Sequence, residues 1–136
     1  MNVGTAYDDS HMCSVAERAS ELGVRRPVAF LEDVPQEDLV ALINSADSCV
    51  HAATRVGFGL AVVEEMVCGN AVVAFRMDSI PEIIDGGVDG LLADPNDDES
   101  LFRSLLMALG DWSLARSLDD AARAKVIDRF TWNRTA

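Results

Sequence analysis

Short apolar runs alternate along this chain with longer segments in which apolar residues recur every three or four positions. The short runs are typical of buried strands, and the longer segments are typical of helices with one apolar face. Strands that alternate with helices favour a parallel sheet covered by helices on both faces. The pattern therefore predicts an α/β fold.

The predicted strands are short runs of β-branched and other apolar residues, at 2–3, 28–31, 48–51, 72–75 and 90–93. The predicted helices cover about 10–22, 35–46, a segment from Gly59 to about Cys68, about 99–109, and further helices within 113–130. Ser10 is an acceptable N-cap, and Pro35 suits a first helical turn, where a missing N–H is harmless. A short helical turn is expected after Pro81, and a cluster of turn and cap residues at 94–98.

Length and composition favour one domain spanning residues 1–136. With 136 residues, of which 49% are hydrophobic, the chain can bury one core but is too short for two ordinary domains. The apolar runs are much shorter than the ~20 residues of a membrane span, and no secretion signal follows Met1. We therefore expect no transmembrane segment.

The cysteines indicate the redox compartment, and the net charge indicates which classes of partner are expected. Cys13, Cys49 and Cys68 are widely spaced and odd in number, which favours neither a metal site nor a disulfide framework and suggests a reducing cytoplasm. The formal net charge is −12, and no basic cluster is present to follow a phosphate backbone. Nucleic acid is therefore not an expected partner.

The segment Gly57-Phe58-Gly59-Leu60 lies between a predicted strand and a predicted helix. In such a turn, backbone N–H groups and the positive end of the helix dipole can bind a phosphate without any basic side chain. Glycine also lets a ligand approach the backbone closely. By itself the motif does not distinguish a phosphate loop from a tightly packed turn.

A family resemblance adds to this interpretation. Residues 55–74 resemble the signature of the group 1 family of retaining glycosyltransferases, which have the GT-B fold. Further similar blocks follow in the expected order at 80–84, 90–92 and 94–97, and others precede it at 30–39 and 46–47. The resemblance implies a Rossmann-like, doubly wound parallel sheet, the incomplete C-terminal half of a GT-B fold. It would lack its own first strand and the N-terminal acceptor domain.

The resemblance also assigns a donor site. It implies that the turn binds the phosphates and sugar of a nucleoside diphosphate sugar, that a helix glutamate binds the ribose hydroxyls, and that a later loop lies beside the diphosphate. In that order, these residues are Gly57, Phe58, Gly59 and Leu60, then Glu64, then Ile80, Pro81 and Glu82. A carboxylate can accept two hydrogen bonds from a vicinal diol, which suits the ribose role. Glu65 lies about 100° further around the helix and is expected to face solvent.

Two positions depart from the family pattern. Val56 stands where the family has a first glutamate near the transferred sugar, and valine can neither accept hydrogen bonds nor stabilise charge. The catalytic residues are therefore unknown. Asp78 and Ser79 stand where the family commonly has two glycines. An added acid near a diphosphate is unfavourable unless a cation intervenes. Arg76 is the candidate cation, but an exposed loop cation without a ligand is at least as favoured an interpretation.

The family also has an Arg and Lys pair that grips the donor phosphates, after the first strand of this domain. No such segment precedes Asn2, so we expect that the chain begins part-way into the domain and has reduced phosphate affinity.

Two further groups of residues have competing interpretations. His51 could contact the sugar or base, but a histidine packed at a strand end is favoured. Trp112 and Trp132, with Phe130, are expected to pack the terminal helices rather than to form a stacking platform.

The leading hypothesis is the donor-binding domain of a retaining glycosyltransferase that transfers a hexose. Its partners would be a nucleotide sugar and an acceptor sugar, lipid or small molecule, and it would need neither a cofactor nor a metal. The exposed cleft face would be covered by a missing N-terminal domain or by a second copy. The alternative is a truncated or decayed binding module without catalysis. A nucleotide-sugar epimerase of the same fold ranks last, because it lacks the Gly-Phe-Gly to Glu spacing.

Overall fold

The computed structural model describes residues 2–4, 9–24, 28–53 and 55–130. Its strands are β1 Asn2–Gly4, β2 Phe30–Glu32, β3 Cys49–His51, β4 Val72–Phe75 and β5 Leu91–Ala93. Its helices are α1 Asp9–Glu21, α2 Gln36–Ser45, α3 Leu60–Val67, α4 Ile80–Ile83, α5 Asp98–Gly110 and α6 Trp112–Arg129. Each pair of neighbouring strands is parallel, which confirms the predicted α/β class.

Contacts group the chain into two compact units, Met1–Leu39 and Val40–Ala136. In the first unit β1 pairs with β2, and Val3 lies opposite Leu31. In the second unit three strands form a sheet in the order β3-β4-β5. The expectation of one domain over the whole chain stays a prediction.

Strand β4 forms the centre of the second unit, and all four of its residues are buried. A continuous apolar run is typical of a parallel strand covered on both faces. Alternate residues of a strand point to opposite faces, so Val72 and Ala74 share one face and Val73 lies on the other. The first face packs against α3, α6 and the region of α4, and the second against Ala108 of α5 and Leu118 of α6. The covering of the sheet on both faces was correctly predicted.

Several predicted boundaries need correction. The strand predicted at 28–31 lies at Phe30–Glu32. Pro35 lies just outside α2, where its carbonyl accepts the Leu39 N–H at 2.9 Å. Ser10 lies inside α1 rather than at its N-cap, since that helix begins at Asp9. The turn near Pro81 begins one residue before it, at Ile80.

The carboxyl-terminal helices predicted within 113–130 form one helix, α6. The Asp111 side chain accepts the Leu114 N–H at 2.9 Å and so caps the helix start. No glycine or proline interrupts the sequence from there to Arg129. The helix therefore continues without a break for 18 residues.

The packing role predicted for Trp112 is wrong. Trp112 is 74% exposed, and the guanidinium of Arg116 lies 5.3 Å from the centre of its ring. Such a cation–π contact is typical of a ring at a helix surface. Phe130, at the end of α6, is 42% exposed, and Trp132 lies outside the described residues.

The only lysine in the sequence joins α6 to the loop before β5. Lys125 Nζ lies 2.9 Å from Asp85 Oδ2 and 2.7 Å from Asp89 Oδ2. The other oxygen of Asp89 accepts the Asp85 N–H at 2.7 Å. The side chains of Lys125 and Asp89 are only 9% and 3% exposed, so each charge depends on the other for compensation.

We predict that Lys125→Met lowers the free energy of unfolding by about 3 kcal/mol at pH 7, because it leaves the buried Asp89 carboxylate unpaired. Folding also lowers the pKa of Asp85 below 3.8, first through the hydrogen bond from Lys125 and then through its charge. A lowered acid pKa contributes stability above the unfolded pKa and loses it as pH falls through the folded pKa. The difference between wild type and variant should therefore shrink below about pH 4.

Urea denaturation at pH 7 and at about pH 3 measures both effects. The matched control is Arg123→Met, which removes an exposed cation from the same helix. Equal destabilisation by the two substitutions would contradict the assignment.

Candidate functional site

The residues between β3 and α3 form a turn whose glycines have different surroundings. Gly59 has a φ of +69°, in the left-handed region, and it is the N-cap of α3. A Cβ atom built on Gly59 would collide with Cδ1 of Ile83 in α4. Glycine suits both features, because any other side chain is strained at this positive φ and a Cβ would force the Ile83 methyl group to shift. We call residues 57–60 the glycine turn.

The surroundings of Gly57 are open. Among the residues that the structure describes, and leaving out its two chain neighbours, no heavy atom lies within 4 Å of a Cβ built on Gly57, and its backbone is exposed. Gly59 is therefore required by packing, whereas the space beside Gly57 is free for a ligand. The sequence alone does not distinguish these two roles.

Two hydrogen bonds join the glycine turn and Val56, the residue before it, to the loop after β4. The Val56 N–H donates to Asp78 Oδ2 at 2.9 Å, and Ser79 Oγ donates to the Gly57 carbonyl at 2.8 Å. Both span 22 positions of sequence. We call this pair of hydrogen bonds the clasp; it lies at the carboxyl edge of the parallel sheet, where ligands of such sheets bind.

The clasp gives Asp78 a partner within the fold. Beside a diphosphate its carboxylate was expected to need a cation, with Arg76 either as that cation or as an exposed loop residue without a ligand, and this expectation stays a prediction. In the described part of the chain the carboxylate is bound by the Val56 N–H, and no ion pair links it to Arg76. Asp78 departs from the family pattern, but its contact with Val56 could not be predicted from the sequence, because no local pattern indicates it.

The first turn of α3 presents backbone donors beside the open space. The first intrahelical hydrogen bond runs from the Val63 N–H to the Gly59 carbonyl, at 3.2 Å. The N–H groups of Leu60, Ala61 and Val62 precede it and lie at the positive end of the helix dipole. Gly59 has no side chain to cap them. This arrangement can bind an anion.

Large apolar side chains flank these donors. Phe58 is 84% exposed and Leu60 is 65% exposed, so neither contributes to the core. An exposed ring beside a polar turn offers a flat apolar surface to a ligand or to another protein surface.

Glu64 lies on the same face of α3 as Leu60, about 6 Å further along the helix axis. It is exposed, and its carboxylate forms no hydrogen bond or ion pair with any residue that the structure describes. Glu64 is thus one helical turn from the backbone donors, with its acceptors available.

The three site residues predicted around α4 separate into two groups. Ile80 is 1% exposed, and its N–H donates to the Met77 carbonyl at 3.0 Å, so its side chain belongs to the core. Pro81 and Glu82 are exposed. Of the three side chains, only those of Pro81 and Glu82 are available to a ligand; their predicted place beside a diphosphate stays a prediction.

A family model described as glycosyl transferases group 1 matches residues 10–125, which is most of the chain. The chain belongs to this family. The family resemblance stated from the motifs is thereby confirmed.

Relatives and solved structures agree with this assignment. The O-antigen chain mannosyltransferase B of Escherichia coli is 34% identical over 128 residues, which are 93% of this chain and 32% of that protein. A structure of Anabaena Alr3699/HepE in complex with UDP and glucose has a TM-score of 0.85 at 27% identity, over 94% of this chain and 35% of that one. Another structure of the same protein contains UDP-glucose.

The matched region is the C-terminal part of a GT-B glycosyltransferase. The C-terminal domain of a group 1 glycosyl transferase (LpcC) from Francisella tularensis has the same fold, with a TM-score of 0.83 at 21% identity, over 92% of this chain and 65% of that one. The chain spans about a third of the length of the E. coli and Anabaena proteins.

His51 and Glu65 of this group 1 chain form a pair that joins β3 to α3. His51 Nε2 lies 2.5 Å from Glu65 Oε2, and the two side chains are 20% and 16% exposed. The solvent-facing position predicted for Glu65 is therefore wrong. His51 is at the end of its strand, as expected, and its ring is engaged within the fold rather than free for a ligand.

The pair also affects a nearby thiol. Burial, and then the negative charge of Glu65, raises the pKa of Cys49 to about 12. This thiol remains protonated near neutral pH and is a poor nucleophile. Cys13, Cys49 and Cys68, all within the described residues, are free.

A metal-ligand group and a membrane-spanning helix are both absent from the described residues. In the described ranges, no group of three or more His, Cys, Asp or Glu side chains is arranged to hold a metal ion. None of the described helices is long and apolar enough to cross a membrane.

We predict that Gly59→Ala lowers the free energy of unfolding by about 2 kcal/mol, because alanine is strained at positive φ and its Cβ collides with Ile83. Gly57→Ala, two positions earlier, should change it by less than about 0.5 kcal/mol. Urea denaturation midpoints measure both. Equal effects of the two substitutions would show that the glycines are not distinguished by packing.

Proposed function

We propose that this chain is the donor-binding part of a retaining glycosyltransferase that transfers a hexose from a nucleoside diphosphate sugar to an acceptor. The observation that carries the proposal is the glycine turn. Open space beside Gly57 adjoins the backbone donors at the start of α3, one helical turn from the exposed Glu64.

Because the chain is acidic, backbone N–H groups are the expected ligands for a diphosphate. With a net charge of −12, the protein attracts no diphosphate at long range, so binding depends on short, directional hydrogen bonds. The N–H groups of Leu60 and Ala61 would bind phosphate oxygens, and the absence of a side chain at Gly57 would let them approach.

The ribose and the sugar of the donor would contact two exposed side chains near the glycine turn. Glu64 would accept hydrogen bonds from the two ribose hydroxyls. The exposed ring of Phe58 offers an apolar face to the sugar. The Anabaena neighbour contains UDP and glucose, which makes UDP-glucose the first donor to test.

The chemistry would depend on positioning and charge stabilisation. No side chain of this chain is proposed as nucleophile; the phosphate oxygen of the donor itself would help to accept the acceptor proton. The acceptor, which would be a sugar, lipid or small molecule, would bind largely to a second domain. No cofactor is required beyond the donor, and the free cysteines suit a reducing cytoplasm.

A binding module without catalysis is the second candidate. The side chain of Val56 packs against the core and supplies no carboxylate to the site. Release of UDP from UDP-glucose distinguishes the two functions: binding without transfer or hydrolysis would support the module.

Calorimetric titration with UDP, GDP, ADP and UDP-glucose tests the donor site. We expect the chain to bind at least one of them, and Gly57→Ala to weaken that binding about tenfold or more, because the new methyl group would occupy part of the open space in which the phosphate is proposed to bind. The urea midpoint of this variant should stay unchanged.

The matched control is Gly110→Ala, at a glycine that also has no heavy atom near its Cβ position but lies at the end of α5. It should leave binding unchanged, and any change in stability should be a small increase, because alanine is favoured over glycine in a helix. Absence of binding by every nucleotide at millimolar concentration would contradict the proposal.

A further inference from the structure

The Asp78 carboxylate uses only one of its oxygens within the fold. Oδ2 accepts the Val56 N–H at 2.9 Å, and the side chain is exposed. Among residues 2–4, 9–24, 28–53 and 55–130, Asp78 makes no other side-chain hydrogen bond or ion pair. One carboxylate oxygen is therefore anchored, and the other is available beside the glycine turn.

The backbone holds this carboxylate in place. Asp78 has a φ of +47°, in the left-handed region, where Asp and Asn are tolerated better than most residues. Its neighbour Ser79 is bound to the Gly57 carbonyl at 2.8 Å. With both residues fixed to the turn, the free oxygen of Asp78 has little freedom to move away from it.

Charge decides which part of a donor can lie against this oxygen. A diphosphate has no proton to donate and is repelled by a carboxylate. The hydroxyl groups of a sugar donate hydrogen bonds, and those to an ionised acceptor are among the stronger ones. Glu64 lies one helical turn into α3 and is assigned to the ribose, and Val56 provides no acceptor side chain.

We propose that Asp78 is a specificity residue of the donor site, and that its free oxygen accepts a hydrogen bond from a hydroxyl of the transferred sugar. The proposal rests on the proposed donor-binding function. It assigns to Asp78 the carboxylate contact that position 56 cannot make, through a segment 22 residues further along the chain.

The test compares each nucleotide with its sugar conjugate. Wild-type protein is titrated with UDP and UDP-glucose, GDP and GDP-mannose, and ADP and ADP-glucose. One pair is chosen, in which the sugar strengthens binding most. For this pair, the dissociation constant of the nucleotide divided by that of its sugar conjugate measures the sugar contact. The same pair is then titrated into Asp78→Asn, Asp78→Gly and Ser79→Ala.

Asp78→Asn preserves the acceptor for the Val56 N–H and tolerates the left-handed backbone, but it replaces the free anionic oxygen by an amide nitrogen. Asp78→Gly tolerates the backbone too and removes the whole side chain. We expect the ratio to fall about fivefold or more in both. Binding of the nucleotide alone should be unchanged or stronger in Asp78→Asn, because a negative charge has been removed.

Ser79→Ala is the matched control, because it breaks the other hydrogen bond of the clasp without altering charge. A residue that only holds the turn would give similar results for Ser79→Ala and Asp78→Gly, and no effect for Asp78→Asn. That result would overturn the proposal, and so would a wild-type protein that binds a nucleotide but gains nothing from any sugar. A wild-type protein that binds no nucleotide would instead overturn the donor-binding function itself.

Discussion

The close approach of α4 to Gly59 is the constraint on which the site depends. A left-handed backbone and the absence of a Cβ atom let Ile83 pack against the start of α3. Because Gly59 is held there, the N–H groups of the first helical turn are fixed in place beside the glycine turn. The clasp then binds Val56 and the Gly57 carbonyl, while the space beside the Gly57 Cα stays open among the residues that the structure describes.

The buried core of the second unit holds the carboxyl edge of the sheet, where the glycine turn lies. Strand β4 is covered on both faces, and α3 and α6 pack together on the face that carries Val72 and Ala74. Lys125 secures the loop before β5 to α6 through two aspartates, one of them almost completely buried. His51 and Glu65 join β3 to α3 beneath the turn. The functional edge is thus a set of loops positioned by a packed sheet, the arrangement in which binding residues are usually found.

Local patterns in the sequence predicted much of this structure, and contacts between distant segments account for the errors. The continuous apolar run of β4 and the change of pattern at Gly59 predicted a strand and the start of a helix, because both signals depend on neighbouring residues alone. Glu65 was placed in solvent because helical geometry relates it to Glu64 and not to His51, which lies 14 positions away. The contact of Asp78 with Val56 spans 22 positions and has no local signature.

The sequence also predicted the motif residues of the candidate site, but not the contacts between distant segments that shape it. Its motif residues come from the family resemblance, and Phe58 and Glu64 are exposed beside the turn as a ligand would require. The burial of Ile80, in contrast, depends on how α4 packs and could not be read from the motif. Likewise, Gly57 and Gly59 look alike in the sequence, and the left-handed φ of Gly59 and its contact with Ile83 distinguish it from Gly57, which leaves space.

The most direct measurement is a nuclear magnetic resonance titration of the 15N-labelled chain with UDP, GDP and ADP. The account predicts that the nucleotide that binds causes its largest amide shifts at Gly57, Gly59, Leu60 and Ala61, with smaller shifts at Glu64. Largest shifts on α5, or no shifts at millimolar nucleotide, would contradict the assignment of the glycine turn as the donor site.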